Sequence, residues 1–173
     1  MEAVTDILMI TIPALIVFFT AWVLLRNLMR NDQDKRRQEL ILANSRTVTP
    51  IKLQAFERIV LFLERISLES LIVRVSSPDM TASQLHTTLL NAIRNEFEHN
   101  LSQQVYMSPQ AWEVVRNARS GIIKIINTEA EKMPPTATGF DLSRQLLQAI
   151  MELDKEPTRV AIDYLKGEIG RMI

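Results

Sequence analysis

Glu96-Phe97-Glu98-His99 is where residue type and spacing come nearest to a reactive centre. Positions i and i+3 of a helix share a face, so Glu96 and His99 can offer a carboxylate oxygen and an imidazole nitrogen to one divalent metal. A di-iron bundle needs two such Glu-x-x-His units and two further glutamates. Here the second unit is absent, and the other histidine, His86, follows Ser83 at the matching offset. The ligand set therefore reduces to Glu96, His99 and a carboxylate such as Glu113, which defines a metal-dependent enzyme or sensor as one reading. The alternative makes His99 a polar residue hydrogen-bonded at a helix–helix seam. Glu98 falls on another face.

Other chemistries lack their residues. The chain contains no cysteine, which removes disulfides, thiol nucleophiles and thiolate metal sites. Its glycines, Gly121, Gly139, Gly167 and Gly170, make no phosphate-cradling loop. Gly167 and Gly170, three apart near the end, fit a small-residue packing notch or a frayed terminus. No G-x-S-x-G elbow surrounds a serine, and no Ser-His-Asp set suggests itself. No cofactor and no small-molecule substrate are expected. Beyond Asn44, Lys plus Arg number 15 and Asp plus Glu 15, so this part lacks the basic footprint of a nucleic-acid binder.

The elements that must position these residues begin with a run of 19 uncharged residues, Ile7 to Leu25, twelve of them Leu, Ile, Val or Phe. As a helix at ~1.5 Å per residue it reaches about 28 Å, close to the hydrocarbon thickness of a bilayer. Ile7, Leu15, Phe18, Trp22 and Leu25 mark this expected anchor, with Trp22 near one interface. Glu2 and Asp6 precede it, whereas Arg26, Arg30, Lys35, Arg36 and Arg37 follow. That asymmetry predicts the N-terminus outside and the remainder in the cytoplasm of a bacterial inner membrane, in a single pass. The basic cluster also offers weak attraction to anionic lipid, diluted by Asp32 and Asp34.

The division expected is an anchor over 1–29, a juxtamembrane stalk over 30–46 and a helical cytoplasmic domain over 47–173. Ser45 to Pro50 should break the stalk helix, because the residue before a proline is biased away from helical geometry. Leu53, Phe56, Ile59, Val60, Leu63 and Ile66 then form an apolar stripe. Its Glu-Arg pair repeats seven residues apart, a coiled-coil hint too short to count as one. Leu71 to Val75 reads as a short β-prone run, and Gln104 to Met107 is its available partner in a minor two-stranded hairpin. Thr81 with Gln84 forms a capping box ahead of Leu85, Leu89, Ile93, Phe97 and Leu101. Ser108 and Pro109 start the next helix, which ends before Pro134 and Pro135. Leu142, Leu146, Ile150 and Leu153 mark another, and Pro157 opens the last. The fold class is thus all-α: a membrane helix with a stalk, then a compact bundle of about five amphipathic helices.

Three segments also carry a resemblance: LQAFERIVLFLERIS (Leu53 to Ser67), NEFEHNLSQQVYMSPQAWEVV (Asn95 to Val115) and DKEPTRVAIDYLK (Asp154 to Lys166). In this order, behind an apolar leader, they resemble a group of small uncharacterised single-span membrane proteins of Bacteroidota-type bacteria. The resemblance covers essentially the whole chain and implies an inner-membrane anchor. It supplies no activity, cofactor or catalytic residue. At Glu156 a serine would be the more usual cap before Pro157.

The leading functional expectation is a non-enzymatic adaptor or scaffold, held in the bilayer and docking a membrane-protein partner or copies of itself. Leu61 and Phe62, outside a narrow stripe, and Trp112, a residue type favoured at binding hot spots, are the candidate interaction residues. For Trp112 the alternative is a place in the core.

Overall fold

The computed structural model describes the backbone of residues 2–172 and the side chains of residues 15–26 and 46–171. The helices are α1 (Glu2–Ile66), α2 (Leu68–Val75), α3 (Ala82–Asn100), α4 (Pro109–Glu131), α5 (Gly139–Met151) and α6 (Pro157–Met172), with a 3₁₀ segment at Leu101–Tyr106. Two compact units divide between Thr49 and Pro50. Among the described residues no strand forms, and one isolated bridge pairs Thr81 with Thr138.

In the first unit, Leu15 to Phe19, Leu24 and Leu25 are each about 60–70 % exposed, and Trp22 is 48 % exposed. Among the described residues no helix is long and apolar enough to cross a membrane. The expected span of Ile7 to Leu25 begins outside the described side chains, as do those of Ile7, Arg30, Lys35, Arg36 and Arg37. Arg26 is described, and its guanidinium lies over the Trp22 ring at 5.3 Å from the centroid.

The break expected over Ser45 to Pro50 does not occur, because α1 continues through it. A proline removes the bond to the carbonyl four residues earlier. Both Pro50 and Arg46 are exposed, so water can take the freed carbonyl.

The second unit is built on a core of Phe56, Ile59, Phe62, Leu63 and Ile66 from α1, Leu68, Leu71 and Ile72 from α2, and Leu85, Leu89 and Ile93 from α3. Val115, Ile122 and Ile126 of α4, Leu142 and Leu146 of α5, and Ala161, Ile162 and Leu165 of α6 complete it. Spacings of three and four put these residues on one face of each helix. α4 packs on α3, α5 and α6, and α2 on α3 and α5. Gly121 lets α4 and α6 approach: a Cβ there would lie 3.1 Å from the Pro157 ring. Among the described residues nothing lies within 4 Å of a Cβ at Gly167 or Gly170, so no packing notch forms there.

The β-prone run belongs to α2, and its proposed partner to the 3₁₀ segment, so the hairpin is corrected to helix. Leu68, Leu71 and Ile72 share the i, i+3, i+4 face that is buried, leaving Val73 80 % exposed. Burial of that face outweighs the β preference of Ile72, Val73 and Val75. The start of α2 is held from far along the chain: the Leu68 N–H donates to Glu156 Oε1 at 3.0 Å. The residue that looked misplaced as a cap for α6 thus caps α2.

Both expected start signals of α3 and α4 form. Thr81 and Gln84 make a reciprocal capping box, and Ser108 Oγ accepts from the Ala111 N–H and donates to Glu168 of α6. A second capping box, Thr138 with Asp141, opens α5 earlier than its apolar residues suggested. The two boxes are tied together: Ala82 N–H donates to the Ala137 carbonyl at 3.0 Å, and Gly139 N–H to the Met80 carbonyl at 2.7 Å. Hydrogen bonds from the Thr138 hydroxyl and N–H hold the Asp141 carboxyl below the ordinary range for aspartate, with Arg144 adding a smaller pull.

Candidate functional site

Two ridges meet where α1 passes α3. On α1, Arg58, Leu61 and Arg65 follow at i, i+3 and i+7, so the repeated Glu-Arg pair sets both guanidinium groups along one line. On α3, Glu96 and His99 share a face, as their spacing requires. Between the ridges lies an open cleft of about 280 Å³ with Phe62 and Asn100 among its lining residues.

The charges in this cleft are unequal. Glu96 Oε1 receives Arg65 Nη2 at 2.7 Å and Arg74 Nη1 at 3.0 Å. Arg74 also donates to the Arg65 carbonyl at 3.2 Å, which fastens α2 to the end of α1. Arg58 has no hydrogen bond or ion pair among the described residues. His99 is exposed and likewise makes none, so it is not the bonded seam residue of the alternative reading. Asn100 is buried and spends its amide on the Glu96 carbonyl at 2.8 Å. The lining thus holds two arginines and a histidine against one carboxylate, and that carboxylate is already shared between two cations.

Behind the cleft runs an aromatic seam. Phe97 stacks on Trp112 with centroids 5.6 Å apart and is tilted against Phe62 at 5.9 Å. Arg119 lies over the Phe97 face at 4.2 Å, and its buried Nε has no hydrogen-bond partner among the described residues. The ring face is what this guanidinium meets there. Of the expected interaction residues, Leu61 is 56 % exposed, whereas Phe62 is 1 % exposed and belongs to the core. Phe62 lies outside the stripe of Leu53, Phe56, Ile59, Val60, Leu63 and Ile66 read from the sequence, yet α1 buries it with Phe56, Ile59, Leu63 and Ile66. Trp112 is half-buried in the seam.

The proposed metal ligands are not brought together. Glu113 is exposed on α4 and does not line the cleft, and Glu96 faces guanidinium groups, which disfavour a cation beside it. Among the described residues no three His, Asp or Glu side chains gather as a metal set. His86 instead bonds Asn127 through Nε2 at 2.8 Å, beside a separate cleft of about 270 Å³ walled by Met133, Pro134 and Pro135. Sequence reading missed this pair, since nothing local links residues 41 positions apart. It also missed Glu129, buried on α4 and satisfied by Lys132 at 2.7 Å and Gln145 at 3.2 Å.

Against known families, residues 2–172 match the model of a family of unknown function, DUF7935. The chain belongs to DUF7935. No curated protein matches it, and no solved structure does. Membership in DUF7935 fixes the unit of inheritance as nearly the whole chain, with α1 and the helical core together, and brings no activity with it.

Proposed function

We propose that this DUF7935 protein is a membrane-anchored helical adaptor, a non-enzymatic subunit of a bacterial inner-membrane assembly. It crosses the bilayer once through Ile7 to Leu25, with its N-terminus outside and its C-terminal unit in the cytoplasm. It is of the single-span, Bacteroidota-type class that its segments resemble. The observation that carries the reading is the exposure of Leu15 to Phe19, Leu24 and Leu25 on every side of α1. A helix apolar all round needs an apolar surrounding, and no described residue buries these side chains. Thr20, polar within this stretch, donates its hydroxyl to the Ile16 and Val17 carbonyls at 2.9 Å, which suits lipid. The excess of cations on the Arg26 to Arg37 side supports the orientation. The adaptor role is supported by the second unit, which presents exposed Phe140, Leu147 and Met151 along one face of α5 and a charged cleft whose carboxylate, Glu96, is taken up by Arg65 and Arg74.

Cross-linking in intact membranes, followed by gentle extraction, should recover a stoichiometric partner or a homo-oligomer. Protease added outside sealed cells should leave the C-terminal unit intact. A solely monomeric species, or digestion of that unit from outside, overturns the proposal.

A further inference from the structure

We propose that the cleft between α1 and α3 is where the partner docks, and that the docking element is an acidic peptide segment carrying an apolar residue. The inference rests on the adaptor reading and names the chemistry of its partner.

Charge complementarity comes first. Arg58 makes no hydrogen bond or ion pair among the described residues, Arg65 commits only Nη2 to Glu96, and an arginine carries five donors in a fixed fork suited to a carboxylate. His99 adds an imidazole on the opposite wall. Glu57 and Glu64, exposed acids on α1, flank Leu61 at i−4 and i+3 but do not line the cleft. A bound carboxylate therefore meets cations, with the one acidic lining residue already shared by two arginines.

Shape and polarity then choose the source of the anion. Leu61 sits between Arg58 and Arg65 and is 56 % exposed, so an occupant can cover an apolar side chain while its charge meets the guanidinium groups. A free phosphate would leave Leu61 uncovered. The cleft, at about 280 Å³, is also smaller than the roughly 300–1,000 Å³ of sites that hold drug-sized ligands, and suits one or two side chains.

The test uses the full chain in a neutral detergent and compares three probes by calorimetry: the blocked peptide acetyl-LEEL-amide, its neutral counterpart acetyl-LQQL-amide, and inorganic phosphate. The acidic peptide should bind about ten-fold more tightly than the neutral one, with an affinity that falls as salt rises. Arg58→Gln should remove most of that preference without moving the melting temperature, because Arg58 is exposed and has no partner among the described residues. Leu61→Ser should weaken the acidic peptide and leave any phosphate binding unchanged. Equal binding of the two peptides, an undiminished preference in Arg58→Gln, or phosphate binding that matches the peptide and ignores Leu61→Ser each overturns the proposal. The comparison needs no native partner, so its failure would leave a cross-linked assembly, and with it the adaptor reading, standing.

Discussion

Two stretches of the same helix use similar residues to opposite ends. From Leu15 to Leu25 α1 exposes its large apolar side chains on every side except at half-buried Val23, whereas between Ile51 and Ile66 most are sorted: Ala55, Phe56, Ile59, Phe62, Leu63 and Ile66 are buried, and Glu57, Arg58, Glu64 and Arg65 are exposed with Ile51 and Leu61. Apolar content alone does not separate these cases; the interleaving of charge does. A stripe asks the chain itself for a cover, and the second unit provides one. In the proposed anchor that cover is the bilayer.

The widest separation between the two stretches should come from shortening one phenylalanine in each. Phe62→Ala deletes a fully buried ring that touches Phe97, and a change of this kind costs about 3–5 kcal/mol. Phe18→Ala, at a site 70 % exposed, should shift the same denaturant transition by under about 0.5 kcal/mol. Phe18→Arg should instead act on membrane retention, since a cation near the centre of a span disfavours insertion by roughly 2.5–3.5 kcal/mol. Fractionation that leaves Phe18→Arg wholly in the membrane, or equal destabilisation by the two alanines, would erase the contrast.

How far the sequence could be read follows the same division. Elements whose signals are local were legible: the Thr81–Gln84 box, the Ser108–Pro109 start and the four-residue steps of α3 from Leu85 to Phe97 are formed, whereas the last step, Leu101, falls in the 3₁₀ segment and is exposed. Elements fixed by distant partners were not. LIVRV looks like a strand until Leu68 is added to its register and Glu156, 88 residues away, is seen to cap it. Pro50 looked like a stop because helix propensity says nothing of whether the freed carbonyl meets water. At the cleft, the shared face of Glu96 and His99 was legible from spacing. The two guanidinium groups that occupy Glu96 were not, because Arg65 and Arg74 come from other helices.

The contrast sharpens if the second unit's tightness lies in specific close approaches. A Cβ at Gly139 would lie 3.0 Å from the Met80 carbonyl oxygen, and that carbonyl is fixed by the Gly139 N–H. Gly139→Val should therefore cost about 1–3 kcal/mol in chemical denaturation, with the α3 and α5 starts loosened together. A neutral result would mean that the two capping boxes can part freely. Glu156→Ala tests a single long-range cap and should cost about 1 kcal/mol, with amide exchange faster across Leu68 to Ile72 than across α6. If exchange rises only in α6, Glu156 serves its own helix and α2 stands without it.

The smallest effect concerns charge at the α5 start. Asp141 is partly exposed, and hydrogen bonds from the Thr138 side chain and then its backbone N–H lower its carboxyl from the ordinary aspartate value, with Arg144 contributing less. A carboxyl whose folded value is lowered binds protons more readily when unfolded, so its contribution is fully present above the unfolded value near 3.9 and is lost as pH falls through the folded one. Asp141→Asn should thus narrow the stability difference between the wild type and the variant on acidification below that point, leaving a constant offset at neutral pH. Titration by carboxyl-detected NMR should place Asp141 below exposed aspartates elsewhere in the chain, and Thr138→Ala should return it towards them. An Asp141 that titrates with the exposed aspartates in the wild type would show the second capping box open in solution, and would leave the Thr81–Thr138 junction resting on its backbone bonds alone.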